Sequence, residues 1–315
     1  MRYISWALTA ALLLLSLAAP SVASTFPGAN GDIAFGRFQV ERPGIYAVDP
    51  DGEGISRLSK KDGDFHPIWS PNGRRIVFLR HLQAGEFTLP HVFVMKADGS
   101  RKRHVSGELR GYAQPPVWSP SGRRVAFEDF LELDSGFRGA ITTVRRDGTG
   151  RKRLTGFGSR NAHPAWSPDG EKIAFISDRD GDPEIFVMNS DGSEETQLTQ
   201  NDIVDELPEW SSDGSRIVFS TVIPGPPGQG DAGSAIAVMN ADGGELTMLT
   251  DGSRFDTTPT WSPTEDKVLF AEHFNGGILV VNADGTGEER LSNFGSNPVW
   301  SPDGSMVAFD SDGDI

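Results

Sequence analysis

The sequence predicts an all-β fold, a six-bladed β-propeller of four-stranded antiparallel blades whose last blade is closed by both chain ends. Three observations carry this expectation. A Trp-Ser motif recurs at Trp69, Trp118, Trp166, Trp210, Trp261 and Trp300, which takes every tryptophan beyond Trp6. The separations are 49, 48, 44, 51 and 39 residues, near the period of about 40–45 residues of a four-stranded blade. Pro, Asn-Gly and Asp-Gly return about every ten residues, too often for the helices of a solenoid.

In chain order, residues 1–23 read as a signal peptide. Met1-Arg2-Tyr3 precedes an apolar run from Ile4 to Ala19, and Ser21-Val22-Ala23 offers small residues for cleavage. The propeller then occupies 24–315. Its first copy, from Pro27-Gly-Ala-Asn-Gly31, supplies Ile33-Ala-Phe35, Ile45 to Gly52, and Arg57-Leu-Ser59, but has no Trp strand.

Each later copy yields four strands, a to d from the axis outward. Strand a carries Pro-x-Trp-Ser. A proline follows in most copies (Pro71, Pro120, Pro168, Pro263, Pro302) at the second position of a tight turn, where its fixed φ suits type I. Strand b is apolar at every position, as in Ile76-Val-Phe78 and Ile173-Ala-Phe175. Both faces of such a strand are buried, as sandwiching between neighbouring blades requires. Strand c ends in Asp-Gly, as in Val92 to Gly99, a hairpin signal. Strand d is short, as in Gln197-Leu-Thr199. The last copy contributes Trp300 and Val307-Ala-Phe309, so the simplest closure sets the Trp300 strand beside the N-terminal strands. The redundant b strand leaves seven blades as the alternative.

Composition narrows the function classes. The chain has no cysteine, which excludes disulfides, thiol catalysis and thiolate metal sites. A formal charge of −15 disfavours nucleic acid and anionic lipid. No stretch after the leader approaches the about 20 apolar residues of a membrane span. The expected product is a secreted or periplasmic monomer. Arg101-Lys-Arg103 and Arg151-Lys-Arg153 fall at the same repeat position and read as charged guards of an outer strand edge.

Pro164-Ala-Trp-Ser-Pro-Asp-Gly170, Lys172-Ile-Ala-Phe175, Ile185 to Gly192 and Gln197-Leu-Thr199 resemble the TolB-type, WD40-like β-propeller repeat, and the resemblance runs from Pro27 to Ile315. It implies a propeller that binds partner proteins at one mouth of its channel. Related hydrolases set a propeller before a catalytic domain, but this chain has no Gly-x-Ser-x-Gly elbow.

Alternating strands put the stereotyped a–b and c–d turns on one face. The b–c and d–a loops fall on the other, and the b–c loops vary from 7 residues (271–277) to 16 (220–235). Variable loops on a rigid ring are where recognition is expected. Three positions before each repeat Pro stand Asp64, Ala113, Asn161, Asp205, Asp256 and Gly295. One position before it stand His66, Pro115, His163, Leu207, Thr258 and Asn297. The binding candidates are Asp64, His66, Asn161, His163, Asp205, Glu206 and Asp256, converging on a cation or a basic partner; the alternative is that Asp and Asn here accept hydrogen bonds at the strand start.

Asp178, Asp180, Asp182 and Glu184, echoed in 310–314, have the alternate carboxylates of a Ca²⁺ loop, with an ordinary polar turn as the alternative. No other cofactor is expected. The function expected is a non-catalytic module binding an envelope or extracellular protein or glycan. The alternative is a metal-assisted lyase or hydrolase using His66, His163 and the acidic ring.

Overall fold

The computed structural model describes residues 30–37, 43–61, 63–84, 87–107, 114–133, 136–225, 231–273 and 276–310. The signal-peptide segment 1–23, Ala113, and 311–314 of the acidic echo lie outside the described residues. The described chain is all-β, a six-bladed propeller.

Five blades are complete four-stranded antiparallel sheets. Blade one comprises Asp64–Trp69, Arg75–Ala84, Phe87–Lys96 and Arg103–His104; blade two Val117–Trp118, Arg124–Leu133, Gly136–Arg145 and Lys152–Arg153. Blade three comprises Asn161–Trp166, Lys172–Ser177, Glu184–Asn189 and Thr196–Gln197; blade four Asp205–Trp210, Arg216–Pro224, Asp231–Asn240 and Thr247–Met248. Blade five comprises Asp256–Trp261, Lys267–Glu272, Ile278–Asn282 and Glu289–Ser292.

The closing sector comes from both chain ends. Ser296–Trp300 with Val307–Asp310 packs on blade five, where Trp300, Val307 and Phe309 meet Leu269 and Val280. Ile33–Arg37, Gly44–Val48 and Ser56–Arg57 pack on blade one through Ala34, Ile45, Ile76 and Phe78. The two parts meet where Asn30 accepts from the Asp303 amide at 3.2 Å and donates to Ser305 Oγ at 3.4 Å. Both b strands of the repeat form, each in its own ladder, so the Trp300 strand hydrogen-bonds to Val307–Asp310 and does not pair with the N-terminal strands.

Three of the six repeat indoles clasp a neighbouring blade: Trp118 and Trp210 donate to the Ile68 and Ala165 carbonyls at 3.1 Å, and Trp261 to the Glu209 carbonyl at 3.3 Å, whereas the Nε1 atoms of Trp69, Trp166 and Trp300 are buried without a hydrogen-bond partner. The Ser after Trp closes the a–b turn, its hydroxyl accepting from the amides of Arg75, Arg124, Lys172 and Arg216 at 2.9–3.1 Å. The Ser or Thr ending strand d accepts from a strand c amide, as Thr155 does from Ile141 at 2.9 Å and Thr250 from Ile236 at 3.0 Å. Phe78, Phe127, Phe175, Phe219 and Phe270 of the b strands are fully buried.

The b–c segments differ in a way their sequence concealed. In blades three and five the b–c ladder stops at Ser177↔Glu184 and Ala271↔Ile278. In blades one, two and four it continues to Ala84↔Phe87, Leu133↔Gly136 and Pro224↔Asp231. What reads as variable loop is therefore largely β-ribbon, rising about 10–13 Å beyond the blade at about 3.3 Å per residue.

Candidate functional site

The mouth on the loop face is shaped by a bulge repeated in each Trp strand except that of blade two. The register shifts between Phe65 and Ile68, Ala162 and Ala165, Glu206 and Glu209, Thr257 and Thr260, and Ser296 and Val299. At each shift the residue before the proline has positive φ: His66 47°, His163 50°, Leu207 59°, Thr258 50° and Asn297 56°. Left-handed backbone costs a non-glycine residue roughly 1–3 kcal/mol and is sustained by surrounding structure. Bulges of this kind re-aim side chains, and here they do so at the same level of successive blades.

The residues three before each proline are placed otherwise than at an open mouth. Asp64, Asn161, Asp205 and Asp256 are all buried, and each ties its strand to other segments. Asp64 accepts from the Ser59 hydroxyl of the closing sector and from Arg80 Nη2 at 2.8 Å. Asn161 Nδ2 donates to the Gly139 carbonyl of blade two at 3.1 Å, and its Oδ1 accepts from Arg179 at 3.2 Å. Asp205 accepts from Asn201 Nδ2 at 3.0 Å and stands beside Glu184 of blade three. Asp256 pairs with Arg254 at 2.8 Å, and Arg254 reaches Glu288 at 2.6 Å. These groups buttress the rim from beneath.

Four titratable groups from three blades do come together. Arg160, just before strand a of blade three, lies 3.4 Å from Glu206 of blade four, and both side chains are about one-third exposed. Beneath them is Glu128 of blade two, 2% exposed. Burial raises Glu128 to about 8, opposed by Arg160 and reinforced by Glu206. His163 lies close enough to Arg160 for the guanidinium to disfavour its protonation; burial, the larger cause, holds it at about 3, as an unprotonated imidazole. Both His163 ring nitrogens are out of contact with solvent and lack a protein partner. Gly139 is required at this point, because a Cβ there would stand 2.7 Å from Glu128 Oε1 and 2.8 Å from the Asn161 carbonyl.

His66 forms a separate environment in blade one, against Phe65 at 5.0 Å between ring centroids. Burial and then the nearby His81 lower it to about 4. The structure thus brings His163 and Glu206 together with Asn161 beside them, and keeps Asp64 with Arg80, His66 with His81, Asp205 with Glu184, and Asp256 with Arg254 as separate groups.

The acidic run of blade three does not close into one cage. Asp178 accepts from the Arg160 amide at 2.7 Å, Asp180 from Gln197, and Glu184 from the Asn201 amide at 2.6 Å and the Thr199 hydroxyl. Burial raises Asp182, with Asp180 and Asp202 adding to it. Glu184 is raised to about 7, first by burial. Among the described residues no three His, Asp or Glu side chains are grouped so as to hold a metal ion.

Glu128 and Arg160 were not among the residues singled out from sequence. Glu128 left a partial signal, since it follows the Val125-Ala-Phe127 triplet where blades one, three and five continue with Leu79, Ile176 and Ala271, although blade four has Ser220 and the last copy Asp310. An acid in an all-apolar strand is the informative exception. Arg160 left none, because loop arginines are ordinary.

Comparison with known proteins follows the same outline. A family model described as the TolB beta propeller domain matches residues 37–296. The Tol-Pal system protein TolB of Bordetella pertussis is 31% identical over 160 residues, covering 49% of this chain and 35% of that protein. The matches span from about a third to about half of the curated relatives' length. Among solved structures, TolB from Acinetobacter baumannii superposes with a TM-score of 0.60 at 20% identity, covering 86% of this chain and 66% of that one. Oligogalacturonate lyase in complex with manganese gives 0.72 at 14% identity, covering 93% and 86%. At these identities the structural likeness is one of fold.

Proposed function

Since the chain belongs to the TolB beta propeller domain family, we propose that it is an exported, non-catalytic binding module that holds a protein or glycan partner of the cell envelope on its loop face. The observation that carries this reading is the set of three extended b–c ribbons on blades one, two and four. A hydrogen-bonded ribbon presents side chains with less ordering cost than a loop, and three of them rise on the same face as the mouth that contains Glu128, Arg160, His163 and Glu206.

Within this reading Glu206 and Arg160 face the partner. Asp64, Asn161, Asp205 and Asp256 fix the strands from which the mouth residues project, and His66 and His163 are buried, uncharged rings at the strand bulges. The dispersal of the candidate residues into separate groups supports binding over catalysis, because acid–base chemistry needs its groups within hydrogen-bond reach of one reacting atom. Secretion to the periplasm or beyond follows the leader read in residues 1–23.

The test is co-sedimentation with isolated cell envelopes. The wild type is compared with a variant whose ribbons are cut back to the blade edge by joining Arg80 to His91, Asp129 to Ala140 and Thr221 to Ala235 through short turns. Retention of the wild type and release of the variant, both folded by circular dichroism, is the expected result. Equal retention of both refutes the loop face as the binding face.

A further inference from the structure

The opposite face, built from the a–b and c–d turns, is segregated by charge sign. In blades one and two, turn segments 70–75, 96–103, 119–124 and 145–153 hold thirteen Arg and Lys against Asp98 and Asp147 alone. In blades three to five, the equivalent segments 167–172, 189–197, 211–216, 240–248, 262–267 and 282–290 hold thirteen Asp and Glu against four Lys and Arg. Arg74, Arg101, Arg123, Arg145 and Arg153 are exposed. Among the described residues only Arg151 of the thirteen cations has an ion-pair partner, Asp129 at 2.6 Å.

Neither edge protection nor blade stitching accounts for this. Guarding an outer strand needs charge of either sign. Some of these cations do bind carbonyls across blade seams, such as Arg103 to Asp147 at 3.0 Å and Lys152 to Asp191 at 2.6 Å. Carbonyls leave the positive charge uncompensated, and blades three to five close their seams without such a row.

We infer that this face docks a second copy of the chain. A two-fold axis lying in the plane of the face sets blades one and two of one copy over the acidic blades of the other, and by symmetry does so twice. Charge counts match, with a net +11 on the basic sector and −9 on the acidic one. The two sectors nearly cancel, so the chain's −15 resides elsewhere; apposition through these turns directs the loop faces outward. That overall charge works against a polyanion as occupant at long range, whereas a second copy brings its acids to the basic sector locally. Arginine supplies most of the cations and suits two-point pairing with carboxylates. The resulting dimer replaces the monomer expected from sequence and presents two ribbon-bearing faces outward.

The experiment is analytical ultracentrifugation of the purified chain at about 50 mM and about 500 mM salt, since the screening length for exposed pairs falls from about 14 Å to about 4 Å across that range. Expected is a dimer at low salt, with Kd rising at least about tenfold at high salt. Double reversals Arg74→Glu/Arg123→Glu and Glu171→Arg/Glu289→Arg should each be monomeric alone and form a one-to-one complex when mixed, the mixing serving as proof that both are folded. A wild type that stays monomeric at low salt and about 100 μM overturns the inference, as do variants that fail to complement while retaining native circular dichroism. A monomer that instead binds polyglutamate through the basic sector overturns it in favour of a polyanion surface.

Discussion

Glu209 offers the sharpest test of how the blades are joined. It occupies the x of Pro-x-Trp in blade four, where blades one to three have Ile68, Val117 and Ala165, and is 3% exposed. Its Oε1 accepts from the Trp261 amide and the Thr260 hydroxyl, both at 3.1 Å, while Oε2 has no partner. Burial raises its pKa from 4.5 to about 8, with those two hydrogen bonds opposing. The folded state therefore holds the proton more tightly than the unfolded chain. Stability from this group is intact below pH 4.5 and is lost progressively as pH rises through about 8. At pH 7 the cost is about 3 kcal/mol, from about 1.4 kcal/mol for each unit between the unfolded pKa and the ambient pH.

Glu209→Gln keeps the accepting oxygen and removes the titration. Urea unfolding at intervals from pH 5 to pH 8 should give the wild type and the variant nearly equal midpoints at pH 5. The variant should then gain steadily, reaching about 3 kcal/mol at pH 7. Parallel curves would mean that the carboxyl ionises freely within the fold, and the account of this seam would fail.

His163→Asn, taking the residue type that Asn297 shows at positive φ, should flatten the acid limb. An imidazole held at about 3 stabilises the fold above its ordinary pKa and forfeits that stability as pH falls below about 6.5, by about 1.4 kcal/mol per unit; an unchanged acid limb in the same urea series would exclude the buried neutral ring. His163→Pro should lose more than about 1 kcal/mol at pH 7, because proline fixes φ at about −65° and cannot adopt the observed 50°, and an unchanged urea midpoint would contradict the bulge. Arg80→Leu should cost about 3–5 kcal/mol by leaving the buried Asp64 carboxylate short of its cation; a loss below about 1 kcal/mol would mean Asp64 is not held as described. Thermal unfolding with about 1 mM Ca²⁺ or with chelator should give the same midpoint, since the acidic run of blade three is spent on protein donors; a shift of several degrees would restore the cation loop.

The fold was legible because each part of its signal is local. Trp-Ser, the apolar triplets and Asp-Gly act over a few residues, and their roles as indole clasp, buried strand and turn depend little on distant sequence. The candidate site was legible only in position. Asp64, Asp205 and Asp256 stand where sequence reasoning put them, at the strand starts, but burial and hydrogen bonding make them buttresses. The loops of blades one, two and four were legible as long and not as ribbon, since pairing beyond the blade edge depends on register that composition does not specify.

Sequence by itself determined an all-β repeat of Trp-anchored blades, without cysteine and with an acidic surplus. Only the tertiary structure decided which side chains meet. Arg160 and Glu206 are 46 residues apart and come within reach because adjacent blades pack face to face; Glu128 joins them from a third blade through the same packing. The basic and acidic turns, scattered along the chain, become two sectors of one face once the repeat is wound into a ring. Strand formation follows from local sterics and apolar patterning, whereas convergence between blades depends on ring closure, which brings distant repeats side by side.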